Sequence, residues 1–105
     1  MICAEFFKSN QGYSGFRISG HSGYSEAGSD IVCAAVSSAT NMTVNLVSEI
    51  FGMESDFEIM GEGNLSFSIK NPCENSNKVI EAFKMQLEII FDEYPDFIKV
   101  SVTEV

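Results

Sequence analysis

Two kinds of apolar spacing alternate along this chain, and their order most constrains its fold. Ile2, Ala4 and Phe6 occupy every second position, the period of a half-buried strand. Asn10-Gln11-Gly12 reads as a turn and Gly15-Phe16-Arg17-Ile18-Ser19 as a second strand, so the chain opens on a hairpin. From Ile31 to Phe51 the period lengthens. Val32, Ala35, Val36, Ala39, Thr43, Leu46, Val47 and Ile50 share one wide helical face, and Gly52 closes the helix. A second hairpin follows, with Phe57 and Ile59 before the Gly61–Asn64 turn and Leu65, Phe67 and Ile69 after it. Capped by Asn75 or Ser76, a second helix runs to Tyr94, with Val79, Phe83, Leu87 and Ile90 at helical spacing and Pro95 beyond it. Ile98, Val100 and Val102 make a last strand. The order ββαββαβ predicts an α/β fold of the α+β two-layer kind, a mostly antiparallel sheet with two helices on one face.

A length of 105 residues suits one domain, 1–105, and nine phenylalanines within 45% apolar residues can fill its core. The opening Met1–Lys8 lacks the basic region and long apolar core of a signal peptide, and no run approaches membrane-spanning length. A cytoplasmic protein with no membrane contact is the expectation. Cys3, Cys33 and Cys73 form an odd set without a CxxC, which suits reduced thiols. With His21 they also lack the short paired spacings of a zinc site, so no metal or cofactor is expected. Fifteen acidic against six basic residues give a formal charge of −9. Such a field repels nucleic-acid phosphate and attracts a basic partner, although it also serves simply to keep a small protein soluble.

The chemistry concentrates between residues 20 and 40. His21 is the only histidine, and Cys33 follows it by twelve positions. Asp30 reads as an N-cap, which makes Cys33 the third helical residue, beside N–H groups without intrahelical partners. Those dipoles favour an anion by ~0.3–1 kcal/mol, while the Asp30 carboxylate opposes one. A basic partner is therefore needed, and His21 is the side chain suited to the task near neutral pH. The backbone N–H groups of Ile31, Val32 and Cys33 would then cradle an oxyanion. Asp30 either orients His21 or only caps the helix. Ser37 and Thr40 share the helix face of Cys33, and either line a pocket or bond back to the helix backbone. The segment Ser22–Ser29 has Gly23 and Gly28 near its ends and Tyr24 as its one large side chain. It reads as a mobile loop gating the approach of His21 to Cys33. The competing reading makes Cys33 ordinary helix packing and His21 an ordinary polar residue, and regular pleating turns His21 the way of Arg17 and Ser19 unless Gly20 redirects it. Met42, Val44, Ile80, Met85 and Phe91 fall outside the two helical stripes, a surplus that predicts a homodimer.

Gly20-His21 followed by Gly28-Ser29-Asp30-Ile31-Val32-Cys33-Ala34-Ala35-Val36-Ser37 resembles the signature of the ribosomal-processing cysteine proteases, the Prp family. Ser22 stands where that family often has alanine, a small change. Length, acidity and element order extend the resemblance over the whole chain. It implies a cytoplasmic, homodimeric endopeptidase with Cys33 as nucleophile and His21 as base. Its implied substrate is the precursor of large-subunit ribosomal protein twenty-seven, whose short N-terminal extension carries a Phe-containing cleavage motif. The alternative is a non-enzymatic, ribosome-associated acidic module that holds a basic ribosomal protein.

Overall fold

The alternating segments do become strands and the longer period does become helices. A computed structural model describes residues 1–20, 27–61 and 63–105, with the backbone alone for 27–30. The elements are β1 (Ile2–Ser9), β2 (Gly12–Ser19), α1 (Ala27–Asn45), β3 (Ser55–Ile59), β4 (Leu65–Ile69), α2 (Glu74–Glu93) and β5 (Ile98–Glu104). A wider π-helical turn, Leu46–Ile50, continues α1, with the Phe51 N–H donating to the Leu46 carbonyl at 2.9 Å. Gly52 then takes a positive φ of 62° and ends it.

The sheet runs β3-β4-β2-β1-β5. Three of its pairings are antiparallel, as expected, and the fourth joins β1 to β5 in parallel. Pairing places Phe57, Phe67, Phe16 and Phe6 in one row across four strands, all on one face. Ring centroids along that row lie 6.4, 5.3 and 6.0 Å apart, and Phe83 of α2 sits 4.8 Å from Phe16. These are ordinary tilted and edge-on aromatic contacts; Phe67, Phe16, Phe6 and Phe83 form the centre of the core beneath α1 and α2, with Phe57 at its open margin. The opposite face is polar. There Arg17 pairs with Glu5 at 3.1 Å, and the Thr103 hydroxyl donates to Glu5 at 2.6 Å.

Gly15 marks a point of close approach. A bulge interrupts the β1–β2 register beside it, and a Cβ at Gly15 would run into the Phe67 carbonyl of β4. Gly15→Ala is therefore expected to lower stability by about 1–3 kcal/mol, measured as a reduced urea midpoint with an unchanged slope.

The structure corrects several sequence expectations. α1 begins at Ala27, not after Asp30. The expected start rested on Asp30 as a cap, and the apolar stripe has no member before Val32, so neither signal registers the extra turn of small residues. α2 begins at Glu74 with Cys73 as its N-cap. The Cys73 N–H donates to Ser76 Oγ at 2.8 Å, making Ser76 a third-residue partner of the cap and not the cap itself. Val44 and Ile80 were counted among the surplus apolar residues but both belong to the buried core, Ile80 because α2 seats it with Phe83, Leu87 and Ile90. Finally, Ile31–Ile50 does reach membrane-spanning length and apolarity, with 20 residues at mean hydropathy 1.3. In this fold the stretch covers the sheet, with Val32, Val36 and Val47 buried against it.

Candidate active site

Cys33 is the seventh residue of α1 and is half-buried. It opens on a cavity of about 270 Å³ at the end of the sheet where β2 finishes and β3 turns into β4. Val36, Ser37 and Thr40 of α1 form one wall with it. Ile18 of β2, Gly20 just beyond that strand, and Ile59, Asn64 and Leu65 of the β3–β4 hairpin form the others. The cavity is thus mainly aliphatic, with a thiol on its helical wall.

Ser37 and Thr40 do share this cavity with Cys33, as their spacing predicts. Thr40 is buried, and its hydroxyl donates to the Val36 carbonyl at 2.7 Å, so it supplies shape while its proton stays with the helix. Ser37 is exposed at the rim.

The longer α1 revises the electrostatic picture around Cys33. Asp30 lies inside the helix and is not its N-cap; its side chain is outside the described residues. Unpartnered N–H groups belong to the first turn of a helix, and Ile31, Val32 and Cys33 come after it. Their N–H groups are engaged within α1 and do not form the expected oxyanion cradle. Gly28, expected in the gating loop, has helical backbone. His21, Ser22, Gly23 and Tyr24 lie outside the described residues.

The geometry on either side of that segment is informative. Gly20, immediately before His21, has φ 79°, a conformation that favours glycine, and a Cβ there would meet the Met1 carbonyl. Its N–H donates to Asn64 Oδ1 at 3.2 Å. Asn64 thus ties the β3–β4 turn to the exit of β2 and so fixes the direction in which the chain departs toward His21. The sequence had marked Gly61–Asn64 only as a turn, so Asn64, Ile59 and Leu65 were missed as site residues. Nothing in local spacing says which turn folds against which strand end. Asn64→Ala removes one exposed hydrogen bond of about 1 kcal/mol at most. It is expected to lower kcat/KM about fivefold and the thermal midpoint by only about 4–8 °C, which leaves the protein folded at assay temperature.

Cys73 holds the environment that the sequence had assigned to Cys33. It caps α2, and the backbone N–H of Ser76, followed by the Ser76 side chain, holds its exposed thiol below the usual range. It sits with Gly12 and Tyr13, at the end of the β1–β2 hairpin opposite to Gly20 and Cys33. The described residues contain no group of three or more His, Cys, Asp or Glu able to hold a metal ion.

A thiol on a helix facing an aliphatic cavity, next to the strand end that leads into Gly20-His21, fits thiol chemistry on a polypeptide. Comparison with known proteins decides the family, since the model for cysteine protease Prp matches residues 1–99. The chain belongs to the Prp family of cysteine proteases. A curated Prp relative, the ribosomal processing cysteine protease Prp of Bacillus subtilis (strain 168), is 30% identical over 109 residues, spanning 96% of each chain. Among solved structures, SMU.848 from Streptococcus mutans superimposes with a TM-score of 0.85 at 23% identity, covering 100% of this chain and 96% of the other. The ribosomal processing protease Prp of S. aureus, solved with a substrate peptide, gives 0.87 at 20% identity, covering 98% and 100%. Those two likenesses establish the Prp fold. Family membership also makes the chain an enzyme, a cysteine protease, and not the non-enzymatic acidic module.

Proposed function

We propose that this protease removes the short N-terminal extension from the precursor of large-subunit ribosomal protein twenty-seven, with Cys33 as nucleophile and His21 as general base. The observation that carries the reading is the shared cavity. Cys33 lines it from α1, and Gly20, one bond from His21, lines it from the end of β2. The Cys33 thiol gives its proton to the imidazole, and sulfur attacks the scissile carbonyl. The tetrahedral adduct expels the amine, which takes that proton from His21. Water, deprotonated by the imidazole, then cleaves the thioester and restores the thiol. The charge of −9 suits a basic ribosomal protein, and the Bacillus relative is named as a ribosomal processing enzyme. The test is a peptide spanning the Phe-containing extension, mixed with the protein and read by mass. Two fragments from a single internal cut are expected. A peptide that stays whole would overturn the assignment.

In this reading the enzyme acts in the cytoplasm as a homodimer. Met42, Met85 and Phe91 remain exposed on the helices, at 67%, 57% and 41%. A groove of about 550 Å³ lined by Ala35, Ser38, Ala39, Met42 and Val79 runs between α1 and α2. An apolar, small-residue surface of this kind suits burial against a partner. Sedimentation at micromolar concentration is expected to give twice the 11.5 kDa of one chain, and a single-chain mass would refute the dimer.

A further inference from the structure

β3 is an edge strand, and its outer side is open to pairing with one kind of partner more than another. The backbone bonds from Met60 N–H to Asn64 and from Lys70 N–H to Glu54, 2.9 and 3.0 Å long, set the phase of the β3–β4 ladder. Even-numbered residues of β3 therefore turn their N–H and C=O groups to β4, and Ser55, Phe57 and Ile59 turn theirs to the open edge. No proline or bulge interrupts the strand, and its charged side chains, Asp56 and Glu58, are both acidic, so they disfavour self-pairing and not a basic segment.

The two faces of the strand carry opposite chemistry. Phe57 and Ile59 lie on the helix-covered face in register with Phe67 and Leu65. They are nevertheless 41% and 73% exposed, because the helices stop short of this edge. Asp56 and Glu58 project from the polar face, both exposed, opposite Ser68 and Ser66. Among the described residues neither carboxylate has an ion-pair partner. The strip ends at the cavity of Cys33, which Ile59 also lines.

We propose that the β3 edge is where the substrate docks, as an added sixth strand in which apolar side chains alternate with basic ones. The inference rests on the protease reading and specifies how that site takes its polypeptide. Backbone bonds to Phe57 and Ile59 hold the segment extended. Its apolar side chains cover Phe57 and Ile59, and its basic ones meet Asp56 and Glu58. The run along Ile59 leads the chain into the thiol cavity. A second copy of β3 is a poor occupant, since pairing would bring the same carboxylates together.

Binding is measured separately from cleavage, by fluorescence anisotropy on the Cys33→Ala protein. The probe is a fluorescein-labelled ten-residue peptide alternating lysine with leucine or phenylalanine. Replacing its lysines by glutamate is expected to weaken binding about tenfold or more, and Asp56→Lys with Glu58→Lys to do the same to the lysine peptide. Phe57→Pro removes an outward N–H and no bond to β4, so about a fivefold loss is expected, with Phe57→Val much closer to the parent. Should Phe57→Pro fail to fold, peptides N-methylated at one alternate set of residues or the other replace it. Only one set is expected to lose affinity. Equal binding of the lysine and glutamate peptides, no binding of either, or equal loss from both methylated sets would overturn the proposal. Failure of the protease reading is a distinct result, a ribosomal extension peptide that binds in this pattern and is never cut.

Discussion

Cys33→Ala is expected to abolish peptide cleavage, by about 10⁴-fold or more, in a protein that still folds. The substitution removes one sulfur from a half-buried position on α1 and installs a strong helix former. The buried residues of that helix, Val32, Val36 and Thr40, keep their places against the sheet. Cys33→Ser should be nearly as inactive, because a hydroxyl gives up its proton far less readily than a thiol. The controls are the other two thiols. Cys3 is exposed on β1, and Cys73 caps α2 at the far end of the sheet. Both serine replacements are expected to retain wild-type rates, and serine at 73 also makes a better cap than cysteine. Single-turnover hydrolysis with circular dichroism on each variant checks all of this. An active Cys33→Ala, or an inactive Cys73→Ser, would mean that another thiol does the chemistry.

His21→Ala is expected to cost ~10²–10⁴ in kcat with a much smaller change in KM, the range for losing a positioned general base. Its residual rate should rise with pH, since solvent base then removes the thiol proton. The contrast with Asn64→Ala is informative. That side chain holds Gly20 and not the reacting atoms, so its smaller loss should leave the pH profile in its original shape. A flat profile in the His21 variant, or a loss confined to KM, would remove the imidazole from proton transfer.

The fold was legible wherever local periodicity decides structure. Ile2, Ala4 and Phe6 announce a strand and Phe83, Leu87 and Ile90 a helix, because each pattern has only one way to bury its apolar side. What escaped depends on contacts between distant segments. That β1 lies inside the sheet and β3 at its edge cannot be read from either strand alone, and so the exposure of Phe57 and Ile59 was hidden. The Cys33 cavity was half legible: Ser37 and Thr40 follow from helical spacing, but Asn64 reaches Gly20 across 44 positions of sequence. Helix ends were the weakest point. Asp30 and Asn75 are good caps that go unused, whereas Cys73, a poor one, serves because Ser76 completes the turn.

The parallel pairing of β1 with β5 also bears on when activity arises. Ile2 stands opposite Ile98, and its N–H donates to the Phe97 carbonyl at 2.9 Å. Two strands far apart in sequence thus complete one another, and Ile2 is itself part of the Cys33 cavity. Contacts so far apart in sequence form late. Until β5 is in place, β1 lacks one neighbour and the cavity floor is unsupported. Activity should therefore depend on how well β5 is seated, although no residue of that strand lines the cavity among the described residues.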